Sequence, residues 1–336
     1  MEKNADLLHI VEPGGRGGVY QHVLGAIQNG TYDKYSEVVI HTAKDAELTP
    51  AFENVAYCHC MRYQRMGPRG LRAVASLFWV LAFMLPHLFV SMLRRPGEWE
   101  VQGLFGKGIY TIFVIIPKLG GHKTTFVPHN SFSRNNSKME IELMRWALRL
   151  ASRVVVFVDA EINKFDNVRI LERRRLWQYL LKVDPATIEE WKERVGASGR
   201  PVVAFIGQLR EDKNPELLLE AASSISNPLT LVFAGQDKGA VQSIRNFALA
   251  SHHERIVIDS YLDSVDFQAL IMVSTVVVCP YEVASQSGVL ALATQLGTPV
   301  IASNVGGLSE QADVVFEVGG KDAAAALASA LNSFLS

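Results

Sequence analysis

The chain has 336 residues, 49% of them apolar, and sets 33 lysines and arginines against 34 aspartates and glutamates for a net charge of −1. Such a length suits two domains of ~150 residues, each with its own core. The balanced charge excludes a global pull toward nucleic acid or anionic lipid, so any basic patch is local. Three cysteines, Cys58, Cys60 and Cys279, make no even disulfide framework and fit a reducing cytoplasm. The first residues run straight into a strand, without the apolar stretch of a signal peptide.

In chain order, residues 7–11 read as a strand, 12–18 (EPGGRGG) as a glycine-rich loop and 19–28 as a helix. Strand, loop, helix is a phosphate-cradling order. Gly14, Gly15, Gly17 and Gly18 fit neither the dinucleotide fingerprint nor the P-loop, and a tight turn without a ligand stands equally open. Residues 38–42 and 57–61 predict the next two strands. Cys58-His59-Cys60 suggests a metal, but no second ligand pair stands at a usable spacing, so no metal site is expected.

Arg62, Arg65, Arg69 and Arg72 precede residues 73–93, which hold no acid or base and are interrupted by Pro86 and His87; Arg94 and Arg95 close the stretch. The length permits a membrane span. Pro86, His87 and the strand that follows argue against one, because a span would split one sheet across the bilayer. A buried helix is one alternative. The favoured reading is a helix on the membrane surface, with the arginines of 62–95 on anionic headgroups.

Residues 99–105 predict a strand leading to Gly106-Lys107-Gly108, 109–119 a helix, and 124–127 a strand ending at Pro128-His129-Asn130 with Arg134 close behind. A histidine at the carboxyl end of a parallel strand suits a ligand cleft, although a lone histidine is more often structural. A helix at 139–151 and a strand at 154–158, the last of this half, follow. Arg173-Arg174-Arg175 with Trp177 and Tyr179 raise nucleic acid as a partner. Nothing else supports one, so none is expected, and a solvated approach to the domain junction is the preferred reading. The linker is placed near 197–201, dividing a domain at 1–185 from one at 198–336.

The second half restarts the pattern. Residues 202–206 (VVAFI) predict a buried strand, Gly207-Gln208-Leu209-Arg210-Glu211-Asp212-Lys213 its loop, and 216–224 a helix. Strands at 229–234, 256–258 and 274–279 lead to the polar cluster Ala284-Ser285-Gln286-Ser287-Gly288, then a helix at 289–296 that Gly297 stops, and a strand at 300–302. Alternating strands and helices define the α/β class with parallel sheets. Ser285, Ser287 and the amides near Gly288 would face an anion at a helix N-terminus.

Gly297-Thr298-Pro299-Val300 and Val305-Gly306-Gly307-Leu308-Ser309-Glu310 resemble the nucleotide-sugar loop of GT-B glycosyltransferases, in particular the large family 4 group. Members of that group usually carry two glutamates eight positions apart before the Gly-x-Pro; here Ala284 and Leu292 occupy those positions. The loop instead resembles a sub-group reading Ala-Ser-Gln-Ser-Gly-Val. The resemblance implies a GT-B fold, two Rossmann-like domains facing each other across a cleft, with the acceptor on the first and the nucleotide sugar on the second. It assigns catalysis to His129, Arg210 and Lys213, the last two on the donor diphosphate. It assigns donor binding to Gly17, Gly18, Gly207, Gln208, Ser285, Gln286, Ser287, Gly288 and Val289, with Gln286, Glu282 or Ser303 standing in for the glutamates.

The implied activity is retaining, metal-independent transfer of a hexose from a UDP- or GDP-sugar to a glycan or lipid-linked glycan. That donor is a substrate, and no cofactor is expected. The setting would be surface polysaccharide or glycoconjugate synthesis at the inner face of the cell membrane. A GT-B partner subunit without transfer activity and a sugar-nucleotide epimerase of the same fold are the alternatives.

Overall fold

The computed structural model describes residues 6–61, 74–75, 78–103, 112–129, 138–165, 168–197 and 199–335. Arg62, Arg65, Arg69, Arg72, the 106–108 loop and the segment from Asn130 to Arg134 lie outside the described residues. The chain divides into two compact units, Met1–Tyr179 and Leu180–Ser336.

The first unit is built on a parallel sheet of β1 (Leu7–Val11), β2 (Glu37–Ala43), β3 (Val55–Met61), β4 (Glu98–Gly103), β5 (Thr124–Pro128), β6 (Arg153–Val156) and β7 (Leu171–Arg173). Its strand order is β3-β2-β1-β4-β5-β6-β7. The helices are α1 (Gly17–Gln28), α2 (Leu85–Arg94), α3 (Ile112–Leu119) and α4 (Lys138–Leu150). One core packs α1 against Leu8, Ile10, Val38 and Ile40; the other gathers α2, α3 and α4 around Trp99 and Phe126. The chain direction across the sheet reverses between β1 and β4, and such a switch point opens a crevice at the carboxyl ends of the strands.

The second unit repeats the plan. β8 (Val202–Ile206), β9 (Thr230–Ala234), β10 (Glu254–Ile258), β11 (Val276–Cys279), β12 (Val300–Ser303) and β13 (Val314–Phe316) pair in parallel in the order β10-β9-β8-β11-β12-β13. Around them lie α5 (Pro185–Arg194), α6 (Pro215–Ala222), α7 (Val241–Asn246), α8 (Ser264–Val273), α9 (Gly288–Leu296) and α10 (Ala323–Leu335). β8, β9, β11 and β12 are buried along their whole length, which is why their sequences are unbroken apolar runs rather than alternating ones. The switch point here falls between β8 and β11.

Several expectations change. Residues 154–158 do not end the first sheet, because β7 adds a further edge strand beside β6. The basic, aromatic stretch around it is only partly solvated: Arg173 and Arg175 are exposed, and Arg174 is not. Arg174 pairs with buried Glu100 at 2.6 Å, and Trp177 and Tyr179 pack on the α1 core. Glu100 lies 74 residues earlier in the chain, so nothing near Arg174 in sequence announces its partner. The boundary between units precedes the linker expected near 197–201: α5 buries Trp191 in the core of the second unit and donates from the Trp191 indole to Asp266 at 2.9 Å.

A π-helical turn, Val80–Met84, runs directly into α2. Val80, Met84, Leu88 and Met92 recur every fourth residue and are buried, a one-sided stripe of the kind that seats a helix on a core. The other side is apolar too: Phe78, Leu81, Phe83, Phe89 and Leu93 are exposed. Among the described residues no helix is long and apolar enough to cross a membrane. Cys58 and Cys60 also have a second ligand pair beside them, which sequence spacing does not predict. His41, paired with Cys58 across β2 and β3, and His87 of α2 bring two imidazoles to the two thiols. Parallel pairing and a covering helix supply what sequence spacing does not show.

Candidate functional site

In the second unit the loops after β8 and β11 lie side by side, because those strands are paired. Backbone bonding joins them, with the Glu282 amide donating to the Asp212 carbonyl at 3.2 Å. Gly207 ends β8 with φ of +122°, and a Cβ there would meet Lys213 Nζ at 3.3 Å and Val289 Cγ2 at 3.8 Å. One glycine therefore stands between a lysine of the first loop and the first turn of α9. The left-handed φ and the short approach both favour glycine.

Lys213 Nζ donates to the Tyr281 hydroxyl at 3.3 Å and lies 4.6 Å from the centre of that ring. Burial lowers the lysine pKa, and the neighbouring Arg210 charge adds to the shift against opposing effects of Cys279 and Asp212. A cation held this way gains from any anion that arrives. Arg210 forms an ion pair with Asp212 at 2.8 Å. Its Nε is buried without a hydrogen-bond partner among the described residues, an unmet donor that costs ~1–3 kcal/mol until something accepts from it.

The polar cluster before α9 behaves differently from expectation. Ser287 is the helix cap: its hydroxyl accepts from the Leu290 amide at 3.4 Å, and its own amide donates to Gln311 Oε1 at 2.9 Å. It is buried and holds the loop. What remains for a ligand is the first-turn pair of amides, Gly288 and Val289, which have no intrahelical acceptor and sit at the positive end of the helix dipole. Ser285 accepts from the Gly307 amide through its carbonyl at 3.0 Å. Gly306, at φ +56°, lies so close that a Cβ would come within 1.9 Å of the Ala284 carbonyl oxygen. Ser303 is spent on the Tyr281 carbonyl at 2.6 Å, so it cannot replace a missing glutamate, and Leu292 is buried in the core. Gln208 and Glu282 are exposed at the rim, and Gln286 is half-buried.

In the first unit the glycine loop closes on its own carboxylates. Glu12, fully buried at the end of β1, accepts from the Gly14 amide at 3.1 Å and the Gly15 amide at 2.6 Å. Burial pushes its pKa up to about 7, against the pull of those two bonds. Glu47 accepts from the Gly17 amide at 3.2 Å and from Gln21 at 2.7 Å. Above Gly17 and Gly18 the space is open, since a Cβ on either meets no heavy atom within 4 Å. His129 follows β5, buried, and donates from Nε2 to Gln102 Oε1 at 2.7 Å. Gln102 in turn donates to Glu100 at 2.9 Å. Burial and the nearby His22 keep the His129 pKa well below the ordinary value, so it is neutral. His22, whose pKa burial lowers to about 4, stands edge-on with ring centres 5.3 Å apart.

Residues 200–336 match the family described as "Glycosyl transferases group 1". These residues are a glycosyltransferase group 1 domain. The 2-deoxystreptamine glucosyltransferase of Streptomyces kanamyceticus is 24% identical over 275 residues, 78% of this chain and 67% of that protein. Among solved structures, sucrose-phosphate synthase from Thermosynechococcus elongatus superposes with a TM-score of 0.67 at 16% identity, covering 98% of this chain and 89% of that one. HepE from Anabaena, solved with UDP and glucose, gives 0.65 at 15% identity, with 97% and 89% covered. The fold is accordingly GT-B, two Rossmann-like α/β domains, and the enzyme class is glycosyltransferase.

Within that glycosyltransferase domain the structure brings Gly207, Lys213 and Val289 together, with Arg210 beside them. Sequence reading missed the residues that hold this group in place. Tyr281 reads as a turn residue but supplies the ring and hydroxyl that seat Lys213. Gln311, 24 residues beyond Ser287, carries no motif at all. In the first unit the Glu-Pro-Gly-Gly string is a usable signal for a carboxylate that caps its own loop, whereas Glu47 and Gln102 have none.

Proposed function

We propose that the protein transfers a hexosyl group from a nucleoside-diphosphate hexose to a hydroxyl of a glycan or lipid-linked glycan, with retention at the anomeric carbon. One observation carries the reading: Lys213 Nζ and the start of α9 meet across Gly207, beside an arginine whose Nε lacks an acceptor. Two cations and a helix N-terminus at a switch point suit a diphosphate. As the bond from the anomeric carbon to the diphosphate oxygen breaks, negative charge grows on that oxygen. Lys213, Arg210 and the Gly288 and Val289 amides are placed to stabilise it, which makes an added metal dispensable in this proposal. The acceptor oxygen forms the new bond, and its proton passes to the departing phosphate oxygen. His129, neutral and fixed through Gln102, is assigned to the sugar hydroxyls on the acceptor side.

A UDP-hexose is the preferred donor, on the likeness to a glucosyltransferase and to a structure holding UDP and glucose. A lipid-linked acceptor is supported by the exposed apolar face of α2 and the turn before it, which suits a membrane surface and so the inner face of the cell membrane. The test is release of UDP or GDP from a panel of sugar nucleotides in the presence of a membrane extract, without added Mg²⁺ or Mn²⁺, together with flotation on vesicles containing anionic lipid. Release from one UDP-hexose that depends on the extract is expected. Tight donor binding with no release under any condition would mark a binding subunit instead, and interconversion of sugar nucleotides without an acceptor would mark an epimerase.

A further inference from the structure

β2, β3 and α2 place four metal-binding side chains together, none of them assigned to sugar transfer. The ligand atoms of His41, Cys58, Cys60 and His87 all lie within 4.8 Å of one another. Cys58 Sγ is 3.1 Å from His87 Nε2, and Cys60 Sγ is 3.9 Å from His41 Nδ1. Cys58 and Cys60 are two apart on a strand and so share a face, and His41 stands opposite Cys58 on the adjoining strand. All three cysteines of the chain are free thiols. We propose that His41, Cys58, Cys60 and His87 form a tetrahedral site for one zinc ion that fastens α2 to the β2–β3 edge of the first unit.

The fit rests on three points. Tetrahedral zinc with Zn–S near 2.3 Å and Zn–N near 2.0–2.1 Å sets ligand atoms about 3.3–3.8 Å apart, so the present cluster closes onto an ion with shifts of about an ångström. Two thiolates and two imidazoles form the borderline-soft set that suits zinc and leaves no position for a substrate, as structural sites do.

The third point is the outer shell. The Arg95 carbonyl accepts a hydrogen bond from His9 Nε2 at 2.9 Å, which makes His9 Nδ1 the acceptor toward His41 Nε2 at 3.0 Å. His41 therefore carries its proton on Nε2 and turns an unprotonated Nδ1 toward Cys60. A relay that fixes the tautomer of a histidine for coordination is what metal ligands require behind them. Trp99 stacks on both rings, 4.3 Å from His9 and 5.6 Å from His41, and holds their planes. The cluster also explains why the face of the sheet beneath α2, otherwise an apolar core, admits two histidines and two thiols, with a third histidine on α2 itself. β3 is the edge strand of its sheet, and a metal clamp there would guard an edge that is otherwise open to mispairing.

The experiment is metal analysis of the full chain purified under reducing conditions, followed by titration of the stripped protein with Co²⁺. About one zinc per chain is expected, with intense visible ligand-field bands and near-ultraviolet thiolate-to-cobalt charge transfer at one equivalent. Cys58→Ser with Cys60→Ser should abolish the charge-transfer band. His87→Ala, on a half-buried helix position, should weaken binding at least about tenfold, and His9→Phe should weaken it about 10–100-fold through the outer shell. The wild-type titration decides the matter even if the double serine variant fails to fold. Absence of a stoichiometric cobalt spectrum in folded wild-type protein overturns the proposal. So does a spectrum that survives in the serine variant or in His87→Ala, or a Cys58–Cys60 disulfide as the resting state. Hexosyl transfer enters none of these readouts.

Discussion

Lys213→Met gives the sharpest test of the donor site, because stability and activity should move in opposite directions. The lysine is desolvated beside Arg210, and its pKa is lowered for that reason. A base with a lowered folded-state pKa destabilises the fold wherever it is charged in the unfolded chain, and that cost fades as pH rises from the folded toward the unfolded pKa. Methionine keeps the length and removes the charge. It forfeits the contact with Tyr281, where Nζ lies 4.6 Å from the ring centre and 3.3 Å from the hydroxyl, worth ~2 kcal/mol for a desolvated cation, and the relieved cost of burying the charge offsets that loss. The melting temperature should therefore hold or rise. Donor handling should suffer: losing one preorganised partner of the developing phosphate charge costs ~2.7–4 kcal/mol, or ~10²–10³ in kcat. The assay is UDP release at saturating donor alongside a thermal melt, with a pH series of kcat/KM, which reports the free enzyme, declining at a lower alkaline pH than an ordinary lysine would dictate. A folded Lys213→Met enzyme with turnover within about threefold of wild type would falsify the assignment of this cation to the leaving group.

Gly306→Ala drives a Cβ to within 1.9 Å of the Ala284 carbonyl oxygen; the loop before α9 must shift, and donor affinity should fall at least about tenfold, measured by calorimetric titration with the nucleotide. Arg174→Ala leaves buried Glu100 without its guanidinium, and urea unfolding should show a loss of ~3–5 kcal/mol; a loss under ~1 kcal/mol would return the segment to solvent. Glu12, with its pKa raised to about 7, favours the fold most below the ordinary carboxylate range and loses that contribution as pH climbs to about 7. Comparing wild type with Glu12→Gln between pH 5 and 8 isolates this, since the buried histidines act in the opposite sense in both proteins. The wild type should lose up to ~3 kcal/mol more across the range. Equal slopes would show that Glu12 titrates normally.

The alternation of apolar runs and glycine-bearing loops made both parallel sheets legible, because strands buried on both faces leave an unbroken apolar signature. Gly207, Lys213 and the start of α9 were legible for the same reason: they sit at fixed offsets from such strands. Other features lay beyond a linear reading. β7 is three residues long and polar, LER, with too few positions to show a period. Arg174 looks like a surface charge until Glu100 is brought beneath it. Ser287 offers the same hydroxyl whether it caps a helix or binds a ligand, and only the Leu290 amide that donates to it shows the cap. Cys58 and Cys60 acquire their imidazoles from partners 19 and 29 residues away, a distance set by sheet register rather than by spacing.

The two strand–glycine–helix turns look alike in sequence but differ in what they leave over. At α1 the amides of Gly14, Gly15 and Gly17 are already engaged by Glu12 and Glu47, so an incoming diphosphate meets acidic oxygens instead of N–H groups. At α9 the first turn stays vacant beside a lysine and an arginine. The first turn of α9 is therefore the better anion site of the two, because its amides lie beside cations while those before α1 are already taken by carboxylates.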